Sequence, residues 1–213
     1  DAGKLISAVQ FDAKVHNCTI SGNTVSGYGM GFRLELGSRN NSITGNTVSN
    51  CLVGGVRLNS SRSNIINGNN FINTPSGTSA QTGTLADATR TILIADSEDT
   101  IISDNVFQFV SSPTDGIAIS GGSDDISISN NKFIGANASI FLSSGKRMKI
   151  ENNTFKELNT PYAIKIEGTC THYNKIKNND IDNTGDGIQV YTGSECNYIY
   201  QNSFSASVVY PIF

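Results

Sequence analysis

Four carboxylates are the residues of this chain best suited to acid–base chemistry. Glu98 and Asp99 lie in the segment DSEDT, Asp124 and Asp125 in GSDDI. Each pair stands four and three residues ahead of an isoleucine, Ile102 or Ile128. The matching positions ahead of Ile150 hold Lys146 and Arg147. A carboxylate pair can work on a glycosidic bond, as nucleophile and acid at ~5–5.5 Å or as base and acid at a wider spacing. Asp99 and Asp125 could instead hold Ca²⁺, which takes carboxylate oxygens. Carboxylates this close repel unless Lys146 and Arg147, a cation or protonation compensates them. The same residue types would serve a solvated turn equally well. Asp12 and Glu35 form an alternative carboxylate pair.

What could bring such groups together is a repeat. Ile, two residues, Asn, one residue and a bulky apolar residue recur at Ile20-Asn23-Val25, Ile43-Asn46-Val48, Ile66-Asn69-Phe71 and Ile102-Asn105-Phe107. The pattern continues at Ile128-Asn131-Phe133, Ile150-Asn153-Phe155, Ile176-Asn179-Ile181 and Ile199-Asn202-Phe204. A second alternation lies between the templates: Phe32-x-Leu34, Val56-x-Leu58, Ile92-x-Ile94, Ile117-x-Ile119, Ile140-x-Leu142, Ile164-x-Ile166 and Ile188-x-Val190. Alternation with period two means a strand with one buried face. The 25 Asn, 26 Ser and 21 Gly make about a third of the chain. They break these strands with turns and exclude a helical domain. One such unit cannot bury its apolar face alone, so successive coils must stack. The expected fold is all-β, a parallel β-helix of about eight coils with the template asparagines laddered inside.

The register gives outward columns, each residue ~4.8 Å from its neighbour on the next coil. One column reads Gln10, Arg33, Arg57, Leu93, Ala118, Phe141, Lys165 and Gln189. The next reads Asp12, Glu35, Asn59, Ala95, Ser120, Ser143, Glu167 and Tyr191. Leu93, Ala118 and Phe141 in a row predict an exposed apolar strip, which suits a subunit interface or a platform for a sugar ring. Arg33, Arg57, Leu93, Phe141, Arg147 and Lys165 are the candidate substrate-binding residues. The insertion at 72–91 is expected to be a surface loop on this face, beside Arg33, Glu35, Arg57 and Asn59.

Composition excludes other classes. Charged residues make up 15% and the net charge is −3, without the basic stripe that nucleic acid requires. No apolar run is long enough to span a membrane. Cys18, Cys51, Cys170 and Cys196 show no metal-site spacing and read as buried free thiols. His16 and His172 are too far apart in the stack to share a site. Residues 1–213 form one domain, and the uncapped first and last coils predict a longer protein or neighbours in an assembly.

The segments SGNTVSG, TGNTVSN, SDNVFQF, SNNKF and ENNTF, each followed by a strand such as GGVRL or DGIAI, resemble the right-handed, single-stranded parallel β-helix proteins of the pectate-lyase-like superfamily. The likeness covers nearly the whole chain and is greatest to phage tailspike and polysaccharide-depolymerase domains. It implies a protein at the cell exterior or virion surface, often a homotrimer, facing a bacterial surface polysaccharide. An enzyme of this kind would be a glycoside hydrolase or polysaccharide lyase; an inert shaft and a secreted lyase or epimerase are the alternatives. Superfamily lyases use Asp-bound Ca²⁺ and an Arg or Lys base. Asp99, Asp125 and Arg147 have those types, but no diagnostic motif frames them.

Overall fold

Strands this short need neighbours, and the computed structural model shows how each coil supplies them. It describes residues 6–74, 90–109, 115–135, 138–158, 162–168, 171–183, 185–191, 193–205 and 208. Among these there is no helix, and three parallel sheets of eight strands run the length of the molecule. The first sheet has strands of five or six residues, from Ser7–Phe11 to Asp186–Val190. The second and third use shorter strands, from Thr19–Ser21 to Tyr198–Tyr200 and from Thr24–Ser26 to Ser203–Phe204. Every coil visits the three sheets in turn and pairs in parallel with the next coil, so the fold is the expected β-helix.

The register follows the repeat. Ile20 pairs with Ile43, Ile43 with Ile66, Ile66 with Ile102, and the column continues to Ile199. All of these are buried except Ile199, half-buried in the last coil. Behind them Phe71, Phe107, Phe133 and Phe155 stack with ring centroids 5.2, 4.6 and 4.9 Å apart. Offset stacking adds to the area these rings bury.

The corner between the second and third sheets is too sharp for strand pairing to satisfy its backbone, and asparagine does so instead. Asn46 Oδ1 accepts from the backbone N–H of Asn23 at 2.9 Å and from its side-chain amide at 3.0 Å. The Asn46 amide donates to Asn69 Oδ1 at 3.0 Å and to the carbonyl of Ile20 at 3.0 Å. The same links pass through Asn105, Asn131, Asn153 and Asn179 to Asn202. The residue before each ladder Asn is left-handed: Gly22, Gly45 and Gly68, then Asp104, Asn130, Asn152, Asn178 and Gln201, with φ between +54° and +67°.

The turn between the first and second sheets carries the acidic residues. Isolated parallel bridges link His16, Arg39, Arg62, Glu98, Asp124 and Lys146 in that order, as the sequence spacing requires. The residue after each of these is also left-handed. Asn17, Asn40, Ser63, Asp99, Asp125, Arg147, Tyr173 and Cys196 form a column with φ from +50° to +59°. Hydroxyl ladders brace this turn: Ser97 Oγ accepts from the N–H of Ser61, and Ser123 Oγ from the N–H of Ser97, each at 3.2 Å. Shorter amide ladders, Asn41 to Asn64 and Asn174 to Asn197, do the same near its two ends. Most of the 72–91 insertion, residues 75–89, lies outside the described residues.

Candidate functional site

On the outward face of the first sheet, strand pairing sets Arg33 beside Arg57 and Glu35 one position further along. The Arg33 Nη2 donates to Glu35 Oε2 at 2.8 Å, and Arg57 Nε lies 3.4 Å from Glu35 Oε1. Glu35 is buried between the two guanidiniums, so its charge is offset from both sides. Asp12 accepts a hydrogen bond from the Gln10 side chain. The two carboxylates expected to act as a pair therefore have separate partners.

Further along the same face Lys165 lies among aromatic rings. Its Nζ is 5.3 Å from the centroid of Phe141, 5.3 Å from Tyr162 and 4.8 Å from Tyr191, and 2.5 Å from Glu167 Oε2. Burial pulls the Lys165 ammonium down, but Glu167 and the two phenols outweigh it, and the net shift is upward. Beside Lys165 on the next coil, Gln189 is buried, and its Oε1 has no hydrogen-bond partner among the described residues. The sequence columns contained Phe141, Lys165 and Tyr191. They omitted Tyr162 and Arg90, which start their strands and so fall outside the two columns read.

The exposed apolar strip is corrected by the structure. Leu93 is only 7% exposed and Ala118 2%. Arg90 crosses this stretch, its guanidinium 5.6 Å from the centroid of Phe141, two coils on. It therefore spans the coil that carries Ala118. Phe141 itself is half-buried.

The four turn carboxylates are neighbours, but they do not line one cavity. Glu98 borders a pocket with Asp96, whereas Asp99 and Asp125 border a separate, smaller one with Arg147 and Lys149. Arg147 grips Asp125 through Nε at 2.9 Å and Nη2 at 2.7 Å, and reaches Asp124 Oδ2 at 3.2 Å. The hydrogen bond from Arg147 holds the Asp125 carboxyl below its usual range. Asp124 Oδ1 also accepts from the backbone N–H of Lys146 at 3.0 Å. Of the compensations a stack of carboxylates can use, the structure shows arginine. The Asp99 and Asp125 backbones are left-handed, a conformation to which Asp is well suited.

Soft metal donors are scattered. Cys51 is buried, with its thiol pushed up to about 11 by burial; Cys18 is half-buried and Cys196 exposed. Cys170 lies outside the described residues. The buried-thiol expectation thus holds for Cys51 and fails for Cys196. His16 and His172 stand near opposite ends of the stack. No group of three His, Cys, Asp or Glu side chains able to hold a metal occurs among the described residues.

The architecture recurs in solved structures. The periplasmic alginate epimerase AlgG superposes with a TM-score of 0.71 at 13% identity, over 92% of this chain and 49% of that one. DFA-IIIase from Arthrobacter chlorophenolicus A6, without its lid, gives 0.70 at 16% identity over 94% and 55%. Alginate lyase from Paenibacillus sp. str. FPU-7 gives 0.57 at 16% over 89% and 72%. At these identities the likeness is one of fold, and the chain spans about half the length of the first two. No curated protein sequence matches it. A family model does match, over residues 10–85 and 76–210, and that coverage decides the relationship. With its repeat intact from end to end, the chain belongs to the family described as periplasmic copper-binding protein (NosD).

Proposed function

We propose that this protein binds polysaccharide along the outward face of its first sheet, outside the cytoplasm. The observation that carries the reading is the cluster of Phe141, Tyr162 and Tyr191 around Lys165, on the same face as the Arg33–Glu35–Arg57 group. Aromatic rings offer apolar surface to the C–H face of a sugar, and fixed charged groups orient its hydroxyls and carboxylates. The buried Gln189 carbonyl oxygen supplies an acceptor for a sugar hydroxyl. The alginate epimerase and alginate lyase among the fold neighbours, with the family's periplasmic description, support the same partner and location. A phage tailspike and a homotrimer are the narrower readings; the exposed apolar strip that favoured a trimer is absent, since Leu93 and Ala118 are buried.

The family description also names copper, a metal that imidazole, thiolate and thioether suit. The donors described here do not gather into such a set: Met30, Met148 and Cys51 are core residues, and the two histidines are far apart. The described residues do not fit a copper site, and no step of the function is drawn through one.

The test is calorimetric titration of the intact chain with soluble polysaccharides, alginate included. Phe141→Ala should weaken binding by about three- to tenfold, the weight of one aromatic contact. Lys165→Gln should weaken it similarly for acidic chains and less for neutral ones. Equal affinity in both variants and the unaltered protein overturns the reading. Release of reducing ends that disappears in Asp124→Asn would extend it from binding to cleavage at the acidic turn.

A further inference from the structure

One pocket among the described residues is not on the sheet face. It lies at the turn between the first and second sheets, has a volume of about 500 Å³, and is bordered by Lys14, His16, Arg39, Arg62, Asp96 and Glu98. These residues come from four successive coils. At ~4.8 Å per coil the groove extends ~14 Å along the molecular axis. Its charge is ordered: Lys14, Arg39 and Arg62 occupy the first three coils, Asp96 and Glu98 the fourth.

Stacked like charges need compensation, and here no ion pair among the described residues provides it. Arg39 and Arg62 are bridged through their backbones on adjacent coils. No carboxylate of the described residues lies within 4.0 Å of Lys14, Arg39 or Arg62, although Glu98 is bridged to Arg62 through the backbone. The contrast is with the next coils of the same turn, where Arg147 is fully engaged by Asp124 and Asp125. His16, whose Nδ1 is a buried atom with no hydrogen-bond partner among the described residues, borders the same pocket. Gly37, at φ +85°, presents bare backbone to the groove, with the Lys14 stem 3.8 Å from where a Cβ would stand. Unpaired cations, an orphaned imidazole nitrogen and a glycine floor describe a cavity fitted to an anion.

We infer that this turn is a second glycan subsite, which takes an acidic sugar against Lys14, His16, Arg39 and Arg62 and a neutral sugar against Asp96 and Glu98. The guanidiniums suit a carboxylate or sulfate, and charge-assisted contacts are the strong ones. Carboxylates only accept, so Asp96 and Glu98 suit the hydroxyl donors of an uncharged ring and repel a second anion. The length of the groove exceeds what an isolated phosphate or sulfate would occupy. A net charge of −3 opposes a nucleic-acid occupant. The site is separate from the sheet face and does not depend on the function proposed there.

The experiment compares aldotetraouronic acid (a xylotriose bearing a single methylglucuronate) with neutral xylotetraose and inorganic sulfate, by calorimetry on the intact chain. The acidic tetrasaccharide should bind more tightly than either control, and more weakly as salt is raised. The double substitution Arg39→Gln/Arg62→Gln should reduce its affinity by at least about tenfold, one lost charge-assisted hydrogen bond. Lys14→Gln, on an exposed side chain, gives a smaller loss in the same direction and guards against a folding defect in the double variant. Glu98→Gln should flatten the preference for a mixed acidic–neutral ligand over an oligouronate. Sulfate binding equal to that of the tetrasaccharide overturns the inference in favour of a simple anion hole. So does affinity unchanged by Arg39→Gln/Arg62→Gln but lost in Phe141→Ala, which would place the glycan on the sheet face alone. Absence of binding to the unaltered chain overturns it as well.

Discussion

At the scale of the residue, the ladder asparagines and the turn arginine make opposite kinds of contribution. Asn131 is buried and serves three neighbours at once: its Oδ1 accepts from the Asn105 backbone, and its amide donates to Asn153 Oδ1 and the Ile102 carbonyl. Asn131→Ala should cost at least about 2 kcal/mol in chemical denaturation, since each buried group left unpaired costs about 1–3 kcal/mol. Asn202→Ala, half-buried in the last coil, should cost less. The Arg147–Asp125 pair is exposed, and solvent and salt screen it. The hydrogen bond from Arg147 lowers the folded Asp125 value, so its small contribution is present above the unfolded carboxyl value, about 3.9, and fades as pH falls through the lower folded one. A carboxyl NMR titration of Arg147→Gln should show Asp125 returning toward the ordinary range; an unchanged titration would show that another group sets it. The ladder was legible in the sequence because Asn recurs at a fixed offset from Ile. Compensation by Arg147 was one of the options the sequence left open; that Arg147 alone reaches both aspartates was not legible, because column position does not fix a long side chain's reach.

At the scale of the element, burial separates equivalent positions. Ile128 is fully buried in the middle of its column, so Ile128→Ala should cost about 2–5 kcal/mol, whereas Ile199→Ala in the half-buried last coil should cost clearly less. Equal losses at the two sites would mean that the last coil is covered in solution. Gly55→Ala should also destabilise, because its Cβ would stand 2.7 Å from the Phe71 ring, inside any tolerable contact. The positions that period-two alternation placed inward on the first sheet are buried from Phe32 to Ile188, with Val190 half-buried. It failed for the outward Leu93 and Ala118, because alternation reports which way a side chain points and not what lies across it. Arg90, at the start of the strand that carries Leu93, reaches across that stretch to Phe141, and its position at a strand start gave no periodic signal.

At the scale of the whole molecule, each coil touches mainly its two neighbours, so stability should be close to a sum over coils and their interfaces. Ile43→Val and Ile150→Val, several coils apart, should add within about 0.5 kcal/mol, while Ile128→Val with Ile150→Val, paired directly, should not. Thermal or denaturant melts of the three single and two double variants decide this. The parallel stacking of coils was legible from the repeat alone, whereas the three-sheet cross-section was not read from it. The candidate glycan-binding groups were legible only in part: Phe141 and Lys165 share a column, but Tyr162, which Lys165 also meets, lies outside it. The left-handed column beside the acidic turn has a consequence for how such a molecule changes over generations. Its eight positions hold amide, hydroxyl, carboxylate, guanidinium, phenol and thiol in one backbone shape. For side chains other than Asn and Asp that shape is costly, on the order of 1 kcal/mol or more, and the stacked coils enforce it regardless of the occupant. The turn therefore acts as a row of interchangeable sockets, where natural variation can write new surface chemistry one coil at a time while the barrel beneath keeps its form.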